Sequence, residues 1–211
     1  MDEMNVEAIG RYFSALSRKA PAEWESLPDI GLYMDQVVTY LERQLGVFLK
    51  TNDDGLITPS MINNYAKAKI VPRTEGKKYG QEHIALLLTV FTLKRGLSVQ
   101  DMGALIGKIG DAVEIEEFYG RFRRGMEHSA GETAALVSSA LQAATDADTS
   151  IDAKTLRDLA LELAVDASIR SYVAETLLAF ANPEKGGTDK KGKAKAKREK
   201  AAHKKEKKAS A

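Results

Sequence analysis

The sequence predicts a mainly α-helical protein. Three observations carry that prediction. Apolar residues recur at three- and four-residue spacing in almost every segment. Start and stop signals punctuate those segments, notably Thr58-Pro59 and Gly96. The hydrophobic fraction, 44%, is enough to fill a core.

The elements follow in chain order. Residues 3–19 are amphipathic, with Val6, Ile9, Tyr12, Phe13 and Leu16 on one side. "KAPAEWESLPDIG" (19–31), with prolines at 21 and 28, reads as a linker. A second helix spans 32–49, through Leu32, Val37, Tyr40, Leu41, Leu45 and Phe48. "TNDDGL" (51–56) is an Asp-Gly turn. It is not a calcium loop, because Lys50 and Met61 would fill the first and twelfth positions. Thr58 is a good N-cap, with Pro59 at the first helical position. That helix should end near Lys69, since Pro72 biases Val71 out of the helical region. "RTEGKKYG" (73–80), centred on Gly76, suits a tight hairpin. An apolar helix follows over about 81–95, then a shorter one over about 99–107 behind Ser98 and Asp101. "AVEIEEFYGRFRRGMEH" reads as a helix broken or ended at Gly120 and Gly125. Residues 131–145 and 153–181 read as two more helices. From Pro183 the chain is rich in Lys, Ala and Gly, has no apolar face and should be disordered.

The net charge of +1 hides an asymmetry. From Pro183 onward there are 12 Lys/Arg against 4 Asp/Glu; the other 182 residues hold 19 against 26. An acidic body therefore carries a basic tail. Such a body does not attract nucleic acid as a whole, so binding of that kind must come from a local patch or from the tail. With no cysteine, structural disulfides, zinc-thiolate sites and thiol nucleophiles are excluded. The N-terminus lacks the basic start and apolar block of a signal peptide. "IALLLTVFTL" (84–93) is too short to span a bilayer. The expectation is a soluble, cytoplasmic, nucleoid-associated protein without membrane contact. No residue set marks a catalytic centre, a metal site or a cofactor site, so a non-enzymatic role is expected.

One short segment carries the functional signal. On a helical wheel Ser60, Asn63, Asn64 and Lys67 fall within roughly a 100° arc. Met61, Ile62, Tyr65, Ala66 and Ala68 take most of the other side. Short donors and acceptors with one cation suit base edges and phosphates, and an asparagine amide can match adenine bidentately. Arg73, Lys77 and Lys78 crowd the turn that follows. Between residues 58 and 95 there are seven Lys/Arg against two Glu. A recognition helix followed by a basic wing is one way to hold DNA. A solvated surface helix with a soluble turn would show the same residues.

"LPDIGLYMDQVVTYLERQL" (27–45), "ITPSMINNYAKAKIVP" (57–72) and "GKKYGQEHIALLLTVFTLKRGLSVQDM" (76–102) together resemble the bacterial DUF1836 family, over about residues 27–115. "LYMDQV", "MINNY" and "KKYGQEHI" are the specific motifs, and they occur in the family's order. More distantly, the segment resembles the DNA-binding domain of MerR-type regulators. The resemblance implies a MerR-like winged helix-turn-helix core and a role in transcription regulation on double-stranded DNA. It implies a recognition helix at 59–69 and a wing at 73–79. Tyr79 takes the place of the aromatic or basic residue that closes the wing. Asn64-Tyr65 replaces the arginine-tyrosine pair common in MerR recognition helices.

The implied DNA-binding set is Ser60, Asn63, Asn64, Lys67, Arg73, Lys77, Lys78 and Tyr79. The domains are then 1–26, an N-terminal helix and linker; 27–115, the DNA-binding core; 116–182, a C-terminal helical region; and 183–211, the tail. The C-terminal helices are expected to form a homodimer. A helical protein-interaction adaptor that has lost DNA binding is the second reading. His83 is expected to pack or cap rather than touch phosphate. "GRFRRG" (120–125) is expected to pair with Glu114, Glu116 and Glu117 on a neighbouring helix, or else to touch nucleic acid.

Overall fold

The computed structural model describes residues 6–16, 19–46, 48, 57–74, 76–107, 109–146 and 153–183. The turn at 51–56 and the tail from residue 184 lie outside them. Helix dominates, as the apolar spacing requires: α1 (Val6–Leu16), a 3-10 turn (Trp24–Ser26), α2 (Met34–Leu45), α3 (Pro59–Lys67), α4 (Gln81–Leu93), α5 (Val99–Ile106), α6 (Ala112–Asp146) and α7 (Ala153–Ala181). Among the described residues the one strand-like pairing is an isolated antiparallel bridge between Leu32 and Tyr79. The chain divides into two compact units after Ile169, within α7.

In the first unit the core is organised on α4. Every residue from Ile84 to Phe91 is buried. A helix that is apolar all round needs neighbours on all sides. Val37, Leu41 and Leu45 of α2, Ile62 and Tyr65 of α3, Met102 and Ile106 of α5, and Ile115 and Tyr119 of α6 join it in one cluster. Each such aliphatic side chain contributes about 1.5–3 kcal/mol by leaving water. The buried polar residue on α4, Thr89, satisfies its hydroxyl by donating to the Ala85 carbonyl at 3.0 Å. A second, smaller cluster joins Val137 and Leu141 of α6 to Ile9 and Phe13 of α1 and to Leu156, Leu159 and Leu163 of α7.

Three sequence expectations are corrected here. The segment 112–146 is one helix, not several. Gly120, Gly125 and Gly131 each weaken it by about 1 kcal/mol relative to alanine. Burial of Ile115, Tyr119, Ala134, Val137 and Leu141 along it outweighs that cost. Its start is well specified: Asp111 Oδ1 accepts from the Glu114 N–H at 2.9 Å, and Glu114 Oε2 accepts from the Gly110 N–H at 2.6 Å.

Arg123 does not pair with Glu114, Glu116 or Glu117. Those carboxylates lie on the same helix, and Arg123 reaches Glu23 at 3.1 Å and Glu127 at 2.7 Å instead. The segment read as a linker is also packed. Tyr119 Oη donates to the Ala22 carbonyl (2.7 Å), Arg123 Nε to the Pro21 carbonyl (2.8 Å) and Gln81 Nε2 to the Trp24 carbonyl (2.8 Å). The Ala22 N–H donates to Gln44 Oε1 at 2.9 Å. Irregular backbone can lie against a core only when its polar groups find partners, and these side chains supply them.

Candidate nucleic-acid interface

α3 begins as its sequence requires. The Thr58 hydroxyl accepts from the Met61 N–H at 3.3 Å, and Pro59 opens the first turn. Ile62 and Tyr65 are buried, and the Tyr65 ring meets Phe91 edge-on at 5.5 Å. With that face fixed, Ser60, Asn63, Asn64 and Lys67 are all exposed. None of their side chains makes a hydrogen bond or an ion pair to another described residue.

The helix ends close to Lys69, as the sequence led one to expect, and closes through a backbone conformation that the sequence did not signal. The Ile70 N–H donates to the Tyr65 carbonyl at 3.0 Å, and the Lys69 N–H to the Ala66 carbonyl at 3.1 Å. This paired closure requires a left-handed residue, and Lys69 occupies that position with φ 59°. Glycine is the residue that takes this conformation without strain; a lysine there costs about 1 kcal/mol.

The basic turn follows. Gly76 (φ 62°) and Lys77 (φ 64°) are consecutively left-handed, the dihedral signature of a tight reversal. The expected two-stranded hairpin does not form among the described residues. Tyr79 pairs instead with Leu32, ahead of α2, exchanging backbone hydrogen bonds of 2.8 and 2.9 Å. The reason is burial. Tyr79 is 7% exposed and belongs to the core, so it leaves the surface set in which the sequence placed it. Burial also raises its hydroxyl above the ordinary tyrosine value. Lys78 lies across the opposite segment: its ammonium sits 5.5 Å over the Tyr33 ring. A Cβ on Gly31 would stand 2.9 Å from the Lys78 Cβ, so this approach needs glycine. Arg73, Lys77 and Lys78 are exposed.

His83 is a capping residue. Its Nδ1 accepts from the Gly80 N–H at 3.2 Å, and its ring meets Tyr79 edge-on at 5.7 Å. Nε2 is buried with no partner in hydrogen-bonding geometry. Burial lowers its pKa, against the smaller opposing effects of the Arg73 backbone and the Glu82 carboxylate.

Two cavities lie nearby. One, of about 670 Å³, runs between the 3-10 turn and α6 and mixes Arg121 and Arg124 with Glu25, Glu116 and Glu117. The other, of about 320 Å³, sits behind the C-terminal end of α3. Among the described residues no three His, Cys, Asp or Glu side chains converge to hold a metal, and no helix is long and apolar enough to cross a membrane.

No curated protein and no solved structure matches this chain. Residues 22–122 match the family model DUF1836, a domain of unknown function. The matched span runs from the pinned segment at Ala22 to Phe122 of α6, so it takes in α2 to α5 and the core built around α4. The match overlaps the stretch in which "LYMDQV", "MINNY" and "KKYGQEHI" resemble that family.

Proposed function

We propose that the protein is a DNA-binding transcription regulator of the winged helix-turn-helix kind, with α3 as the recognition helix and residues 73–79 as the wing. One observation carries this reading. The exposed face of α3 presents Ser60, Asn63, Asn64 and Lys67 with their side chains unengaged, on a helix locked from behind by Ile62 and Tyr65. A rigid helix with uncommitted amides is suited to base edges. The exposed cations of the wing, Arg73, Lys77 and Lys78, are suited to phosphates. Selection from random duplexes with full-length protein tests the proposal. Enrichment of a common sequence supports it. Uniform, salt-sensitive retention of all sequences, or no retention, refutes it.

A second reading has its own support. α7 exposes Leu161 (65%), Val165 (55%) and Ile169 (59%) in the first unit, and Tyr172 (67%), Leu177 (63%) and Phe180 (80%) in the second. Large apolar side chains left this open mark an interaction surface on each unit. In the regulator reading they serve a homodimer, which doubles the bases read. In the adaptor reading they serve a different protein. Sedimentation at tens of micromolar separates the two: a dimer favours the first, a monomer the second.

A further inference from the structure

The smaller cavity has a definite chemical character. Its walls are apolar: Ile70 behind α3, Leu86 of α4, Ile106 of α5, Ile109, and Ile115 of α6. All but Ile109, which is half-buried, are core residues. Its charged lining, among the described residues, is Lys69 and Arg73, with no carboxylate. Both cations are exposed and pair with no described acid. A volume of about 320 Å³ lies at the small end of sites that take small molecules.

We propose that this cavity binds a small amphipathic anion, a medium-chain carboxylate in kind. The hydrocarbon would enter among the isoleucines, and the carboxylate would meet Lys69 and Arg73 at the rim. An apolar wall alone would accept any hydrocarbon; the two cations select for the anion. The position also gives the site a consequence. Lys69 is the residue that closes the proposed recognition helix, and Arg73 begins the proposed wing. A carboxylate held by both withdraws Arg73 from its proposed phosphate contact. Occupancy therefore lowers DNA affinity and its dependence on salt. This regulatory half rests on the DNA-binding reading; the binding half does not.

The test uses full-length protein with isoleucine δ1-methyl labelling, titrated with octanoate, octan-1-ol and acetate. Octanoate is expected to shift the methyls of Ile70, Ile106, Ile109 and Ile115. Octan-1-ol should bind there at least tenfold more weakly, and acetate should leave them unmoved. Ile9 in the second cluster and Ile169 on α7 are internal controls. The double variant Lys69→Gln/Arg73→Gln should weaken octanoate about tenfold and leave octan-1-ol unchanged. Silence of the four methyls, equal binding of octanoate and octan-1-ol, unchanged affinity in the variant, or shifts centred on Ile169 would each overturn the site. In a separate DNA titration, saturating octanoate should flatten the salt slope by about one unit. An unchanged slope overturns the regulatory half alone. If no DNA is bound at all, the proposed function fails and the methyl shifts still decide the site.

Discussion

Changing Gly31 to alanine tests how the basic turn is held. The new Cβ would meet the Lys78 Cβ at 2.9 Å and its Cδ at 3.1 Å. A Cβ cannot swing aside as the end of a side chain can, so the two backbones must separate. The adjacent residues resist that separation, because Leu32 and Tyr79 exchange hydrogen bonds of 2.9 and 2.8 Å. Opening the pair by about half an ångström stretches both bonds, and each is worth roughly 0.5–1.5 kcal/mol. The expected cost is about 1–3 kcal/mol, in the range of other overpacking changes. For a chain of this size, 1 kcal/mol moves the melting temperature by about 2–4 °C. Gly31→Ala should therefore lower Tm by roughly 2–12 °C. It should also speed hydrogen exchange at the Leu32 and Tyr79 amides. Adding Lys78→Gly removes the opposing Cβ and should recover part of the loss. A Gly31→Ala protein that melts like wild type, with both amides still protected, would refute the account of how the turn is fastened.

Other outcomes follow from the same geometry. Asn63→Ala or Asn64→Ala should weaken a preferred duplex by about 1–3 kcal/mol in binding titrations and leave random duplex nearly unaffected. Early melting with preference intact would make these asparagines structural. Lys77→Ala/Lys78→Ala should weaken all duplexes alike and lower the salt slope by about one to two units. His83 supplies a pH dependence. Its folded pKa lies below the ordinary 6.5, so the unfolded chain takes the proton first. The His83 contribution to stability is complete above pH of about 6.5 and declines as pH falls below it. Melting temperatures between pH 5 and 7.5 should show this decline, and His83→Asn should flatten it.

Much of the core was legible from spacing. Eight consecutive buried residues on α4 follow from an apolar run that no amphipathic pattern interrupts. Thr58-Pro59 announced the start of α3, and wheel positions alone separated Ile62 and Tyr65 from Asn63 and Asn64. Long-range terms were not legible. Glycines at 120, 125 and 131 argue locally for breaks, and only contacts distant in sequence keep α6 whole. Tyr119 bonds to Ala22 across 97 positions and Arg123 to Pro21 across 102. Tyr79 was misread for the same reason. The resemblance put it in the DNA-contacting set, and its burial depends on Leu32, which precedes it by two helices, α2 and α3. The helix end near Lys69 was legible from Pro72, but its left-handed conformation was not, because that is a property of backbone closure and not of side-chain pattern.

α6 passes through two apolar clusters, by way of Ile115 and Tyr119 near its start and Val137 and Leu141 near its end. About 20 residues lie between them, roughly 30 Å of helix. The two clusters are therefore geared to each other by a shaft, and a shaft has phase as well as length. One residue inserted between Gly125 and Gly131 would add only about 1.5 Å but turn one end by about 100° against the other. Four residues would add about 6 Å and bring the ends nearly back into phase. Evolution can lengthen such a molecule in steps of three or four residues, and is barred from lengthening it by one.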